Sequence, residues 1–273
     1  MIETNKVYKM EAIELLKQLP DNSVDLVLTD PPYNMTSIEW DKKIDLEKLW
    51  QEFKRVGKEN CAFIFTASQP FTSILVMSNL DMFKHEWIWE KQKASNFMSF
   101  KFQPAKYHEN IIVFCKGKPK YNPQMWFVDE SKRDKRKTIN NPITNKDCHL
   151  GSIQRIRKAD DGSRYPKSIL KIDKSINGNK HPTQKPIKLM EYLVKTYSDE
   201  NDVVLDCFVG SGTTAVASKK LNRNFICSDI NEDYVKIAES RLSEIGETQT
   251  LIATQSTLTS QRDLICVKEE NQK

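Results

Sequence analysis

The sequence predicts an α/β protein with a largely parallel sheet, on three observations. Short apolar runs of strand length alternate with stretches whose apolar residues recur at helical spacing. Two of those runs end in unusual corners, Asp30-Pro31-Pro32-Tyr33 and Cys207-Phe208-Val209-Gly210-Ser211-Gly212. The second corner leads through a helix into another apolar run, which ends in the acid Asp229. Strands connected by helices form a sheet covered on both faces, the setting parallel strands require.

In chain order, Lys6–Met10 reads as a short strand and Glu11–Gln18 as a helix stopped near Pro20. Val24–Thr29 is a buried strand running into Asp30. Ile44–Val56 is an amphipathic helix with Leu46, Leu49, Trp50, Phe53 and Val56 on one face, and Gly57 ends it. Cys61–Thr66 is the next strand, Phe71–Leu80 a helix, and His85–Glu90 and Asn110–Cys115 two further strands. The link 91–108 is polar and lacks a helical pattern, so the strands it joins are free to run antiparallel. Between 116 and 180 the pattern is lost among prolines and basic runs, with Tyr121, Trp126, Phe127 and Tyr165 interleaved. Pro186 suits a first helical position, followed by the apolar face Ile187, Met190, Leu193, Val194 and Tyr197. Asp202–Asp206 is a strand, and a helix from the glycine corner runs to about Leu221. Asn224–Asp229 is the last strand, and Asn231 caps a helix striped by Tyr234, Ile237, Ala238, Leu242 and Ile245. The chain divides into 1–115, an insertion 116–180, a second ordered part 181–246, and a Thr/Gln-rich tail 247–273 expected to be partly disordered.

Composition narrows the class. Hydrophobic residues make up 38% and charged residues 29% of the 273, as in soluble globular proteins, without an apolar run long enough to span a membrane. The N-terminus lacks the layout of a signal peptide. Six cysteines without a C-x-x-C pair read as reduced thiols of a cytoplasmic protein. Cys148-His149 is too little for a metal site, and no metal is expected. The net charge of +5 is unevenly spread: −2 over 1–115, +10 over 116–180 and −3 over 181–273. Such a basic middle third favours a polyanion partner.

Each corner has a chemistry. The prolines of Asp30-Pro31-Pro32-Tyr33 fix two φ angles and remove two N–H donors, leaving carbonyls available as acceptors. Asp30 adds a charged acceptor and Tyr33 a flat face, which suits a planar group bearing an amine. A Pro-rich turn after a strand is the plain alternative. In the second corner, Gly210 and Gly212 let backbone approach a ligand at a helix N-terminus, and Asp229 lies at the spacing from Asp206 at which an acid reaches ribose hydroxyls. Phe208 stands where a dinucleotide loop has its first glycine, and no lysine follows Gly212, which disfavours pyrophosphate. A ligand with ribose and adenine but no phosphate fits better.

Asp30-Pro31-Pro32-Tyr33 together with Phe208-x-Gly210-x-Gly212 resembles the S-adenosylmethionine-dependent DNA amino-methyltransferases, and the motif order is that of their β class. The resemblance covers roughly residues 5–115 and 180–245, including Trp40-Asp41 and His181-Pro182-Thr183-Gln184-Lys185-Pro186. It implies a Rossmann-like methyltransferase fold with circularly permuted motif order and an inserted target-recognition region at 116–180. It also implies S-adenosylmethionine as cofactor, held by Asp30, Asp206, Phe208, Gly210, Ser211, Gly212, Thr213, Thr214 and Asp229, with Thr183 and Lys185 near its methionine carboxylate. Where many relatives carry Gly-Asp, this chain has Met10-Glu11; Glu11 stands in for the acid near the adenine.

The implied reaction methylates the exocyclic N6 of an adenine flipped out of double-stranded DNA, in a restriction–modification context. Asp30 and the carbonyl within Asp30-Pro31-Pro32 accept the two amine N–H bonds, and Tyr33 stacks on the base. Cytosine-N4 methylation is the nearest rival; Asp rather than Ser before Pro-Pro-Tyr leans toward adenine. RNA or protein-amide methylation is disfavoured by motif order, and an inactive nucleic-acid-binding relative by intact Asp30 and glycines. A homodimer and a companion restriction endonuclease stay open.

The basic run Lys132, Arg133, Lys135, Arg136 and Lys137 is read as DNA-binding. Neutralising these residues should weaken binding to all DNA sequences alike, and each lost phosphate contact should flatten the log–log salt dependence by about one unit of slope. Titrations at several ionic strengths check this; an unchanged slope means the charges merely face solvent.

Overall fold

The computed structural model describes residues 2–33, 44–134, 160–173 and 184–245. The chain forms two compact units, Met1–Asn122 with Ser168–Lys273, and Pro123–Lys167. The larger unit begins with β1 (Lys6–Lys9), α1 (Ala12–Lys17) and β2 (Val24–Thr29). It continues through α2 (Leu46–Val56), β3 (Gly57–Ala67), α3 (Phe71–Ser78), β4 (Phe83–Glu90) and β5 (His108–Phe114). In the smaller unit, β6 (Trp126–Phe127) pairs antiparallel with β7 (Ser163–Arg164). The larger unit resumes with β8 (Ile169–Lys171), α4 (Ile187–Tyr197), β9 (Val203–Asp206), α5 (Thr213–Lys220) and β10 (Asn224–Asp229). A last helix, α6, covers 232–245.

The main sheet has eight strands in the order β1-β10-β9-β2-β3-β5-β4-β8. All neighbours pair parallel except β5, which runs antiparallel between β3 and β4, as a link with no more than a 3-10 turn at Phe97–Ser99 allows. From β9 the chain winds through α5 to β10, and from β2 through α2 to β3 on the other side. The boundary between β2 and β9 is therefore a topological switch point, where open α/β sheets bind ligands at the carboxyl ends of their strands.

Alternate residues of the central strands face opposite layers, as the twofold strand period requires. Val27, Phe63 and Phe65 pack with Leu15, Leu16, Leu49, Trp50, Phe53 and Leu75 from α1, α2 and α3. Leu26, Leu28, Ala62 and Ile64 pack with Leu189, Met190, Leu193, Val194 and Tyr197 from α4. The predicted apolar faces of α2 and α4 are thus the faces buried. The sheet is covered on both sides, which is why its strands read as continuous apolar runs.

Several boundaries move. Asp45 caps α2, accepting from the Lys48 N–H at 3.2 Å, so the helix starts after Ile44. Pro186 is the N-cap of α4 rather than its first helical residue, its ψ of 132° being extended. β3 begins at Gly57 itself, whose φ of −75° needs no glycine. The glycine answers to packing: a Cβ there would lie 2.5 Å from Cζ of the buried Phe63 and 3.0 Å from the Phe53 carbonyl. Residues 168–173, expected in the irregular insertion, lie in the larger unit, and β8 adds an edge strand to β4. The tail 247–273 and Cys148-His149 fall outside the described residues.

The smaller unit has its own polar frame. Asp160 accepts from Arg164 Nη1 and Nη2, from the Asp134 N–H and from the Gly162 N–H, at 2.7–2.9 Å. Trp126 donates to the Tyr165 carbonyl at 3.0 Å, and the Lys167 ammonium sits 5.4 Å from the Trp126 ring centre.

Gly57→Ala should lose about 1–3 kcal/mol of stability, because the added methyl must displace a buried ring in a filled core. Denaturant unfolding of wild type and variant checks it. A loss no larger than that of an exposed substitution would show that Phe63 yields freely.

Candidate active site

The parallel pairing of β2 with β9 sets the two unusual corners side by side. Thr29, the last residue of β2, donates from Oγ1 to Asp206 Oδ1 at 2.6 Å, joining chain positions 177 apart. The next residues, Asp30 and Cys207, leave the sheet at the switch point.

Asp30 is densely contacted. Its Oδ1 accepts from the Tyr33 hydroxyl at 2.6 Å and from the Thr66 hydroxyl at the end of β3. Its Oδ2 accepts from Lys185 Nζ at 2.5 Å. Tyr33 stacks on Phe71 with ring centres 5.1 Å apart and planes at 21°. Burial, with the Asp30 carboxylate beside it, pushes the Tyr33 phenol well up, so it acts as a donor.

The Lys185 ammonium lies between two acids, Asp30 and Glu109. Glu109 Oε2 stands 3.3 Å from Lys185 Nζ, a longer contact than the one Lys185 makes with Asp30. Glu109 Oε1 accepts from Lys91 Nζ at 3.0 Å. Burial works against the charge on Lys185, but Asp30, Tyr33 and Glu109 outweigh it and raise the ammonium well above its ordinary value. Burial likewise opposes the Glu109 charge, and Lys185 and Lys91 overcome it, leaving that carboxyl below its ordinary value. The result is a row of alternating charges, Asp30, Lys185, Glu109 and Lys91, with side-chain exposures of 28%, 10%, 17% and 9%. Buried charges persist only in such mutually paired sets. Sequence reading missed Glu109 and Lys91, since neither sits in a motif.

The glycine corner is built differently from its neighbour. Gly210 has φ 52° and open space where a Cβ would stand, which suits close ligand approach. Gly212 has φ 83° and starts α5; a Cβ there would lie 2.5 Å from Ala238 Cβ of α6, so its close approach is to the protein itself. Arg241 of α6 holds this loop, donating from Nη1 to the Ser211 carbonyl at 2.5 Å and Oγ at 3.2 Å, and to Thr213 Oγ1 at 3.3 Å. No sequence signal marks it, because a lone arginine on a helix reads as solvated. Ser211, Thr213 and Thr214 are buried. Phe208 packs against the core layer of α1, α2 and α3, and its N–H donates to Asp206 at 3.1 Å.

Asp229 accepts from the Gly210 N–H and from the Asn231 N–H, both at 2.9 Å, so it braces the loop and starts the turn into α6. Glu11 is the N-cap of α1, its Oε2 accepting from the Ile13 and Glu14 N–H groups at 2.7 and 3.1 Å. Lys132 and Arg133 lie in the smaller unit; Lys132 is exposed and 3.9 Å from Asp129. Thr183, Lys135, Arg136 and Lys137 fall outside the described residues, as do Trp40, Asp41 and His181. Among the described residues no cluster of His, Cys, Asp and Glu is placed to hold a metal, and no helix is long and apolar enough to cross a membrane.

A family model described as DNA methylase, of the N6/N4 type, matches residues 24–240. The chain belongs to the N6/N4 DNA methylase family. This methylase is 29% identical over 265 residues to the Type II methyltransferase M1.MboII of Moraxella bovis, covering 90% of this chain and 99% of that protein. It is 32% identical over 269 residues to M.HinfI of Haemophilus influenzae, covering 88% and 69%. The crystal structure of the M1.HpyAVI–SAM complex matches with a TM-score of 0.58 at 25% identity, over 86% of this methylase and 98% of that chain. The cytosine-N4-specific PvuII methyltransferase shares the fold, with a TM-score of 0.62 at 18% identity over 88% and 87%.

Asp206 gives the site a pH dependence. Burial pushes its carboxyl from 3.8 up to about 6 against hydrogen bonds from Thr29, Thr214 and the Phe208 N–H, and the nearby Asp30 adds to the rise. The folded protein therefore binds this proton more tightly than the unfolded chain. The stabilisation is complete below the unfolded carboxyl range and is lost as pH rises through about 6. The shift corresponds to on the order of 2–3 kcal/mol. Asp206→Asn should flatten that part of the stability profile relative to wild type; denaturant unfolding at pH values from about 4 to about 7 tests it, and parallel profiles would refute the assignment.

Proposed function

We propose that this methylase transfers the methyl group of S-adenosylmethionine to the exocyclic N6 of an adenine flipped out of duplex DNA at a specific site. The observation that carries the choice of amine is Asp30: a carboxylate at the end of a central strand, beside the glycine corner and tied to it through Thr29 and Asp206. Asp rather than Ser at that position supports adenine over cytosine.

The residues present fit the cofactor. Gly210 leaves room for close approach, and Asp229 and Glu11 stand on the same rim, where the Met10 N–H donates to the Asp229 carbonyl at 3.0 Å. Asp229 would hold the ribose, Glu11 would approach the adenine, and Phe208, Gly210 and Ser211 would line the pocket. Thr183 and Lys185 would face the methionine carboxylate. Asp206, Gly212, Thr213 and Thr214 support that surface from within. The bound cofactor supplies a methyl group already activated on a sulfonium, so the protein contributes positioning and electrostatics.

A carboxylate offers about four acceptor positions. Tyr33, Thr66 and Lys185 use three on Asp30, leaving roughly one for a substrate N–H. The carbonyl within Asp30-Pro31-Pro32 takes the second. Together they hold the amine with its lone pair toward the methyl donor, and the carboxylate stabilises the positive charge that develops on nitrogen. Tyr33 has one face against Phe71, so the base would stack on the other. The smaller unit, with exposed Phe127 and Tyr165 and the basic Lys132 and Arg133, is the candidate for target recognition. The Type II relatives support a place beside a restriction endonuclease.

Incubation with methyl-tritiated S-adenosylmethionine and duplex DNA, followed by nucleoside analysis, should yield labelled N6-methyladenine. Labelled N4-methylcytosine would overturn the base assignment, and absence of label the activity. Asp30→Asn should lower turnover by about a hundredfold or more while binding cofactor within a few fold.

A further inference from the structure

We infer that Glu109 is a positioning residue that divides the charge of Lys185 and so sets how strongly Asp30 can accept from the target amine. The inference rests on the proposed role of Asp30. Glu109 is the second residue of β5, opposite Trp89 of β4, and β5 begins where β3 and β4 end. That antiparallel strand therefore delivers a carboxylate to the edge where the parallel strands deliver Asp30. Lys185 reaches both acids, 2.5 Å from Asp30 and 3.3 Å from Glu109.

A lysine paired with Asp30 alone would neutralise the acceptor it supports. An amine N–H would then meet a carboxylate whose charge is already spent. A second acid on the far side of Lys185 draws part of that positive charge away and preserves acceptor strength at Asp30. Lys91 limits the effect in turn: at 3.0 Å from Glu109, it keeps this acid from taking Lys185 over. Its own ammonium lies 6.0 Å from the Trp89 ring centre, which fixes its direction. At 3.3 Å, against 2.5 Å for Asp30, Glu109 is the more distant of the two acids that Lys185 meets.

Charge balance predicts opposite effects from removing the two outer members. Glu109→Gln leaves Lys185 undivided beside Asp30. Turnover should fall by about tenfold or more, and the acid limb of the kcat profile should move to lower pH by about half a unit or more. Lys91→Gln frees Glu109 to draw on Lys185, and the acid limb should move to higher pH. Glu109→Asp, which keeps the charge, should restore part of the wild-type profile. KM for DNA and cofactor should stay within about threefold throughout.

Other groups facing Asp30 are Tyr33, which stays protonated, Thr66, and Asp206 across Thr29. Lys106 faces Lys91 and Glu109 from the link after β4. All keep their side chains in the Glu109 and Lys91 variants, so the sign of each shift reads the change of charge beside Lys185.

The experiment is a set of kcat–pH profiles on the full chain for wild type, Glu109→Gln, Glu109→Asp, Lys91→Gln and Asp30→Asn, with thermal unfolding of each. Opposite shifts from Glu109→Gln and Lys91→Gln support the inference. Lower activity with unshifted profiles, or shifts of the same sign, would overturn it. If Glu109→Gln fails to fold, Lys91→Gln and Glu109→Asp still read the sign. An active Asp30→Asn would instead sink the role of Asp30 itself, a result distinct from an inactive Asp30→Asn with unmoved Glu109 profiles.

Discussion

The pairing of β2 with β9 is the contact on which the site depends. Two strands far apart in sequence lie next to each other, parallel and in register, and both end at the same edge. Their final residues are joined side chain to side chain by Thr29 and Asp206. Break that pairing and Asp30 and the glycine corner become two unrelated turns. The insertion between the two halves does not interrupt the sheet, because a sheet records adjacency in space and not order along the chain.

Buried charge is the second theme, and it is resolved in two ways. Asp206 meets hydroxyl and backbone donors with Asp30 nearby, so burial wins and its proton is held up to about pH 6. Asp30, Lys185, Glu109 and Lys91 share the cost among themselves, so opposite neighbours outweigh burial at Lys185 and Glu109. An isolated charge loses more solvation than fixed dipoles return, whereas alternating charges repay one another directly. The first arrangement braces the sheet edge, and the second keeps an ionic acceptor row inside the protein.

Glycines show how one residue type answers to different constraints. Gly57 sits in ordinary extended backbone and makes room for the Phe63 ring. Gly212 needs both its positive φ and the close approach of Ala238. Gly210, also at positive φ, borders open space where a Cβ would stand. Arg241 then fastens the loop between them from α6, which makes the last helix part of the site.

The sequence by itself determined the order of the strands and helices outside 116–180, the buried faces of α2 and α4, both corner motifs and the family they indicate. These are written in local periodicity and in residue types with strong backbone preferences, and they survive without knowledge of neighbours. The antiparallel turn of the chain at the link without α-helical periodicity was legible for the same reason. Only tertiary structure decided that Lys185 pairs with Asp30, that Glu109 and Lys91 complete the row, and that Arg241 grips the glycine loop. Each of those contacts joins residues from separate elements, and a lone lysine, glutamate or arginine carries no local mark of its partner. Charge pairing depends on distance in space, which the fold sets and the order of residues alone does not.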